Sequence, residues 1–309
     1  MSKINIATYA DEHYIQHACV MIASLNEVAA TSNHYVVYLF HSRCSDNTLK
    51  KVKKTAGIFA KNITVKLIEI KSDYRELLKS KKVGISDAIY DKLLIYNYLP
   101  TEIERIFFID ADVVLKRDPG ILYKIDLEGK VLAAVKDYYL KFSQEARNAI
   151  GLNSPNDYFN SGVMIVNLKV FHKNKIFENS LRFALEKGHL TKLHDQDALN
   201  HAVNGNWKPI DCLWNPRPEN KVNVNGETIS LERDEVYSRN LAYLIHFSGS
   251  NKPWKFMSTH PAKAEYWKHL KMTEFRDYTP LDKSLINFLK LKAELLRLNI
   301  LKIKKRLSN

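Results

Sequence analysis

The sequence predicts an α/β fold on a mainly parallel sheet of nucleotide-binding type. Three observations lead there. Apolar, strand-like runs alternate with helical stretches over the first part of the chain. The runs themselves are rich in β-branched and aromatic residues, as buried strands are. One of them then delivers two carboxylates to its carboxyl end, the edge at which open α/β sheets bind ligands.

Taken in order, Ile4 to Thr8 is a short apolar strand, and Tyr14 to Val28 has helical character. Tyr35 to Phe40 (YVVYLF) is a buried strand. Asp46 to Phe59 is helical, with Ser45 as its N-cap. Ile63 to Ile70 alternates and reads as a strand, completing a βαβαβ rhythm. Ser86 to Tyr98 is helical, with Pro100 ending it. Arg105 to Ile109 is an apolar strand running into Asp110-Ala111-Asp112. Val131 to Val135 and Gly162 to Val166 are further strands, and Leu168 to Lys187 and Gln196 to Val203 are helices. Leu213 to Asp234 is rich in Pro, Asn and Gly and reads as loop with short strands. Tyr243 to Phe247 is the last strand expected.

The bulk composition sets limits. With 309 residues, 45% of them hydrophobic, the chain can bury a full core. Its 47 basic against 34 acidic residues give a net charge of +13, suited to anionic partners. No aromatic-basic motif of nucleic-acid recognition accompanies that charge, so nucleic acid is not an expected partner. Three scattered cysteines, with no C-x-x-C pair, argue against a disulfide framework or a structural zinc site. No signal-like stretch precedes the first strand, and no apolar run reaches membrane-spanning length. The expected setting is cytoplasmic, with a peripheral position at the inner face of the cell membrane.

Asp110 and Asp112, two apart at a strand end, can reach one cation. Hard carboxylate oxygens suit Mg²⁺ or Mn²⁺, which bridge to nucleotide phosphates. A strand followed by D-x-D-x-V also resembles the first motif of haloacid-dehalogenase-type phosphatases. That family opens its catalytic domain with the motif and needs a later Gly-Asp motif. Here an α/β region of about a hundred residues comes first, and no Gly-Asp dipeptide occurs.

Five segments in order resemble glycosyltransferase family 8. They are Ala10-Asp11-Glu12-His13-Tyr14, the Asp110/Asp112 pair, and Tyr158-Phe159-Asn160-Ser161-Gly162-Val163 with Leu168. His194-Asp195-Gln196-Asp197 with Leu199-Asn200 follows, then His246-Phe247-Ser248-Gly249-Ser250-Asn251-Lys252-Pro253-Trp254. The resemblance covers residues 1 to about 275, the expected catalytic domain.

The resemblance implies a GT-A fold, retention of anomeric configuration, and a UDP-hexose donor carrying galactose or glucose. It implies Mn²⁺, with Mg²⁺ as second candidate, held by Asp110, Asp112 and His246. Lys252 and Gly249, on the loop after His246, would face the diphosphate. Ala10, Asp11 and Tyr14 would meet the nucleoside, and Ala111 the nucleotide between the two metal carboxylates. Asn160, Asp195 and Gln196 would surround the donor sugar, with Gln196 nearest the anomeric carbon, and Asp137 would be a sugar-contacting acid. Two positions depart from the pattern: Lys92 stands where arginine is usual, and His13 where a small polar residue is common. Because the residue matching the position under the anomeric carbon is an amide, the expected mechanism is same-face transfer with the leaving phosphate as base. A non-catalytic sugar-nucleotide-binding protein is the remaining alternative.

From 281 to 309 the character changes. Eight basic residues stand against Asp282 and Glu294, a net of +6. Leu285, Phe288, Leu291, Leu295, Leu298 and Ile303 fall near helical spacing. A basic amphipathic helix of this kind suits an anionic membrane surface, or packing on the domain or a partner chain. The expected acceptor is a glycan or glycolipid.

Overall fold

The computed structural model describes residues 1–71, 87–138, 144–152, 154–190, 192–218, 220–224 and 227–293. Its strands are β1 (Ser2–Asp11), β2 (Asn33–Ser42), β3 (Ile63–Glu69), β4 (Arg105–Ile109) and β5 (Val113–Leu115). They continue with β6 (Leu132–Lys136), β7 (Phe159–Asn167), β8 (Trp207–Pro209), β9 (Asn220–Val224), β10 (Glu227–Leu231) and β11 (Leu244–His246). Seven form one sheet in the order β3-β2-β1-β4-β7-β6-β8. Four of its pairings are parallel; β7 runs antiparallel to both β4 and β6.

The period of two along each strand divides the core into two layers. Val36, Tyr38, Phe40 and Phe108 face one way, toward the helices Asp87–Tyr98, Ile176–Lys187 and His194–Val203. Tyr35, Val37, Leu39, Phe107 and Ile109 face the other, toward the helix Ile15–Val28 and Val52 of Asp46–Ile58. Both faces being covered, these strands read as continuous apolar runs.

The chain fills β1, β2 and β3 outward in one direction, then returns to place β4 on the other side of β1. That reversal is a topological switch point. The carboxyl ends of β1 and β4 open a crevice there, with Asp11 at one lip and Asp110 at the other.

Some expectations need correction. The stretch Leu168 to Lys187 is two helices, Leu168–Lys173 and Ile176–Lys187. Lys175 between them takes a left-handed φ of 51°, which ends the first helix and re-aims the second. Tyr14 is the N-cap of its helix rather than its first turn, and the helix at Gln196 begins earlier, at His194. The loop Leu213 to Asp234 contains the β9–β10 hairpin and ends in the helix Arg233–Ser238. Ser86 lies outside the described residues, as does the tail from 294 to 309.

Candidate functional site

A two-stranded pairing builds the heart of the crevice. β11 lies antiparallel to β5, putting His246 opposite Val113, and the Phe247 N–H donates to the Asp112 carbonyl at 3.0 Å. This brings the imidazole beside the acidic pair. His246 Nε2 is 3.5 Å from an Asp110 carboxylate oxygen and 3.4 Å from one of Asp112. Ligand atoms of all three residues lie within 4.8 Å of one another, and both Asp112 and His246 are buried. The third wall is Gly162 on β7. A Cβ there would stand 2.4 Å from His246 Cε1 and 2.6 Å from an Asp110 carboxylate oxygen, so only glycine fits.

A chain of amides fixes which imidazole nitrogen faces the carboxylates. The Gly162 N–H donates to Asn160 Oδ1 at 3.1 Å, which identifies that atom as oxygen. Asn215 Nδ2 donates to the same oxygen at 2.7 Å, so Asn215 turns its own Oδ1 toward His246 Nδ1 at 3.1 Å. Nδ1 therefore carries a hydrogen, which leaves Nε2 as the nitrogen that can present a lone pair. A lone pair facing two carboxylates is favourable only with positive charge among them. Two hard oxygens and one imidazole nitrogen form a donor set that fits a divalent cation.

Two half-buried lysines balance the acids. Lys92 Nζ sits 2.7 Å from Asp110 and 3.0 Å from Asp195. Burial alone would lower its pKa, but the two carboxylates outweigh that and hold it above the usual lysine range. Lys252 Nζ is 2.5 Å from Asp112 and 2.8 Å from the Phe247 carbonyl. Burial pushes the Asp112 carboxyl up, and the Lys252 ammonium beside it pulls it down.

Next to this cluster the polar network continues. Gln196 Oε1 accepts from Asn160 Nδ2 at 2.8 Å and from the Ser161 N–H at 3.1 Å. Its Nε2 donates to the Tyr158 hydroxyl at 3.0 Å and reaches Asp137 at 3.4 Å. Asp137 also accepts from Asn160 and pairs with Arg217, each at 3.0 Å. At the opposite end, Asp11 Oδ1 accepts from the His13 and Tyr14 N–H groups at 3.0 Å, shaping the turn that presents Tyr14.

A single cleft of about 710 Å³ is lined by Ala10, Asp11, Tyr14, Lys92, Asp110, Ala111, Asp112, Asp137, Asn160, Asp195, Gln196, His246, Gly249 and Lys252. Every candidate residue named from the sequence is thus in one place, and the size suits a substantial organic ligand. Gly249, at φ 90°, lets the loop turn beside the cleft without strain. Arg217, Arg233 and Ser248 also line it, and Asn215 stands behind His246. Sequence reading assigned none of these four a role. Ser248 lies within the His246–Trp254 segment, and Arg217 stands between two prolines.

Fold and cleft together define an α/β protein with a polar cleft at a sheet switch point. The chain belongs to glycosyl transferase family 8, whose family model matches residues 5–258. It is 28% identical over 297 residues to the lipopolysaccharide 1,2-glucosyltransferase of Escherichia coli K12, covering 93% of this chain and 83% of that one. It is 25% identical to general stress protein A of Bacillus subtilis, covering 88% and 94%. Among solved structures, the galactosyltransferase LgtC with donor and acceptor sugar analogues superposes with a TM-score of 0.69 at 19% identity, over 90% of this chain and 98% of that one. The bifunctional glycosyltransferase WbbM superposes at 0.71 and 20% identity, over 89% of this chain; this chain spans 50% of WbbM. These likenesses establish the GT-A fold. Membership in the family sets aside the phosphatase reading.

Proposed function

We propose that this protein is a retaining hexosyltransferase. It takes galactose or glucose from a UDP-sugar and places it on a glycan or glycolipid of the cell surface. The observation that carries this reading is the Asp110–Asp112–His246 set at the switch point, with Nε2 and two carboxylates turned toward one place. These three residues would hold Mn²⁺, which would neutralise the diphosphate as it leaves.

The surrounding residues divide the remaining work. Lys252, released from Asp112, adds a second positive charge for the diphosphate. Asp11 and Tyr14 hold the nucleoside. Lys92 keeps Asp110 and Asp195 at fixed separation, where a sugar hydroxyl can reach Asp195. Gln196 stands nearest the anomeric carbon. Its carbonyl oxygen already accepts two hydrogen bonds, which makes it a poor nucleophile and supports same-face transfer with the leaving phosphate as base.

The catalytic domain on this reading is residues 1–275, and 281–309 is a separate basic tail. No helix among the described residues is long and apolar enough to cross a membrane. Leu281, Leu285, Ile286 and Leu289 are exposed at the start of the tail, which supports docking on an anionic membrane. Deleting 281–309 should reduce binding to anionic liposomes, and unchanged binding would discard this role.

A donor screen for Mn²⁺-dependent UDP release, with mass spectrometry of the acceptor, tests the main reading. UDP release and a hexose mass increment are expected. Absence of both with every nucleotide sugar, in Mn²⁺ and in Mg²⁺, would refute it.

A further inference from the structure

The wall of the cleft facing away from the nucleoside end carries two arginines that the donor chemistry leaves unused. Arg217 lies between Pro216 and Pro218, and Arg233 opens the helix Arg233–Ser238. Both point a terminal nitrogen at one neutral atom: each Nη1 donates to Ser248 Oγ at 3.2 Å. Two like charges converging on a single hydroxyl repel each other unless an anion joins them.

Their existing partners do not settle that charge equally. Arg217 pairs with the buried Asp137 at 3.0 Å. Arg233 has Asp234 at 3.6 Å, whose side chain is 63% exposed, a contact of little worth in water. It also reaches the Ser248 carbonyl at 3.5 Å. Both Nε–H groups are buried without a hydrogen bond among the described residues, Arg233 Nε having only Asp234 at 3.6 Å. A buried N–H without an acceptor is costly. The remaining acids of the inner cleft are accounted for: Asp110 and Asp195 by Lys92, and Asp112 by Lys252.

Position identifies which substrate the pair serves. Through Asp137, Arg217 is joined to Asn160 and Gln196, where the sugar is transferred, and not to Asp11 and Tyr14 at the nucleoside end. Taking the transferase reading as its basis, we propose that Arg217 and Arg233 clamp an anionic group, phosphate or carboxylate, on the acceptor sugar. The enzyme then selects negatively charged acceptors. The planar fork of each guanidinium suits two-point recognition of either group.

The test keeps the donor site filled. With UDP and Mn²⁺ saturating, glucose, glucose 6-phosphate and glucuronate are titrated by ligand-observed NMR, with inorganic phosphate as competitor. At least one charged sugar should bind about tenfold or more tightly than glucose, the worth of roughly one charge-assisted hydrogen bond. The better of the two names the group. Arg233→Gln should remove that preference, and Arg233→Lys, which keeps charge without the fork, should restore part of it. Melting temperatures of both variants establish that they fold. Equal binding of charged and neutral sugars overturns the clamp. So does anion binding that appears only without UDP, because the arginines would then serve the diphosphate. A wild-type protein that fails to bind UDP and Mn²⁺ refutes the transferase reading itself; one that binds them without discriminating sugars refutes the clamp alone.

Discussion

The two walls of the cleft are built differently. One is made of strand ends: Asp11 at the end of β1, Asp110 after β4, and Asn160 and Gly162 on β7. The other is made of connecting segments, Asn215 and Arg217 ahead of β9 and the loop after β11. In the first, strand ends place the side chains. In the second, side chains hold one another. The contrast predicts that changes on the strand wall fail sharply, while changes on the loop wall are graded.

The largest effect should come from Asp112→Ala. It removes a candidate ligand atom and leaves Lys252 without its 2.5 Å partner. A lost metal interaction worth about 4 kcal/mol corresponds to a roughly thousandfold fall in turnover. Initial rates of UDP release, with Mn²⁺ affinity measured separately by calorimetry, check both halves. Near-normal Mn²⁺ binding would remove Asp112 from the ligand set.

Gly162→Ala should come next. The added Cβ meets His246 and Asp110 at 2.4 and 2.6 Å, and neither neighbour is the free end of a flexible chain. His246 is fixed by Asn215 and Asp110 by Lys92. Displacing ligands in this way should weaken Mn²⁺ binding about a hundredfold, with a stability loss of about 1–3 kcal/mol from overpacking. Retained affinity would mean that the strand wall yields as readily as a loop.

The strand wall was also the legible one. Hydrophobic period and turn chemistry located β1, β2, β3 and β4. The D-x-D at the end of β4 followed from the rule that ligands meet carboxyl ends of parallel strands. The pairing of β5 with β11 was not legible, since three-residue strands carry too little pattern to fix a partner. His246 was reached through family resemblance. Asn215 gave no sign at all, because its role depends on what Asn160 and His246 need, and that is a tertiary fact. The break at Lys175 was missed for a similar reason. Nothing in Asn174-Lys175 demands a left-handed residue, and the re-aiming serves packing of the second helix.

Between the walls lies a seam, where His17 of the helix Ile15–Val28 stacks on Trp254 at 3.6 Å and bonds the Tyr266 hydroxyl at 2.7 Å. Burial pushes the His17 imidazole down to about 3. An unfolded histidine titrates near 6.5, so below that pH the unfolded chain takes a proton that the folded one refuses. Stability is therefore full above about 6.5 and lost as pH falls toward 3. At pH 5 this single group should cost about 2 kcal/mol. Urea midpoints at pH 7 and pH 5, for wild type and His17→Gln, should show a smaller pH effect in the variant. An unchanged pH difference would place the sensitivity elsewhere.

The smallest effect belongs to the loop wall, and it sharpens the contrast most. Asn215 is fully buried, yet it touches no candidate ligand oxygen; it acts only through His246 Nδ1 and Asn160. Asn215→Leu keeps the volume near and removes the acceptor that holds the hydrogen on Nδ1. The imidazole can then place its hydrogen on Nε2, toward the two carboxylates, and its lone pair away from them. Each Mn²⁺ binding event must then reverse that tautomer. Losses of about tenfold in Mn²⁺ affinity are the low end for such supporting partners. UDP affinity measured without metal should stay the same, because Asp11 and Tyr14, proposed to hold the nucleoside, are untouched. Asn215→Asp restores an acceptor at Nδ1 but loses the donor to Asn160, so it should recover metal affinity while leaving the sugar-facing amides of Asn160 and Gln196 less ordered. If the leucine variant binds Mn²⁺ as wild type does, the loop wall does not set the imidazole. The geometry of β11 alone would then suffice, and the two walls would be one.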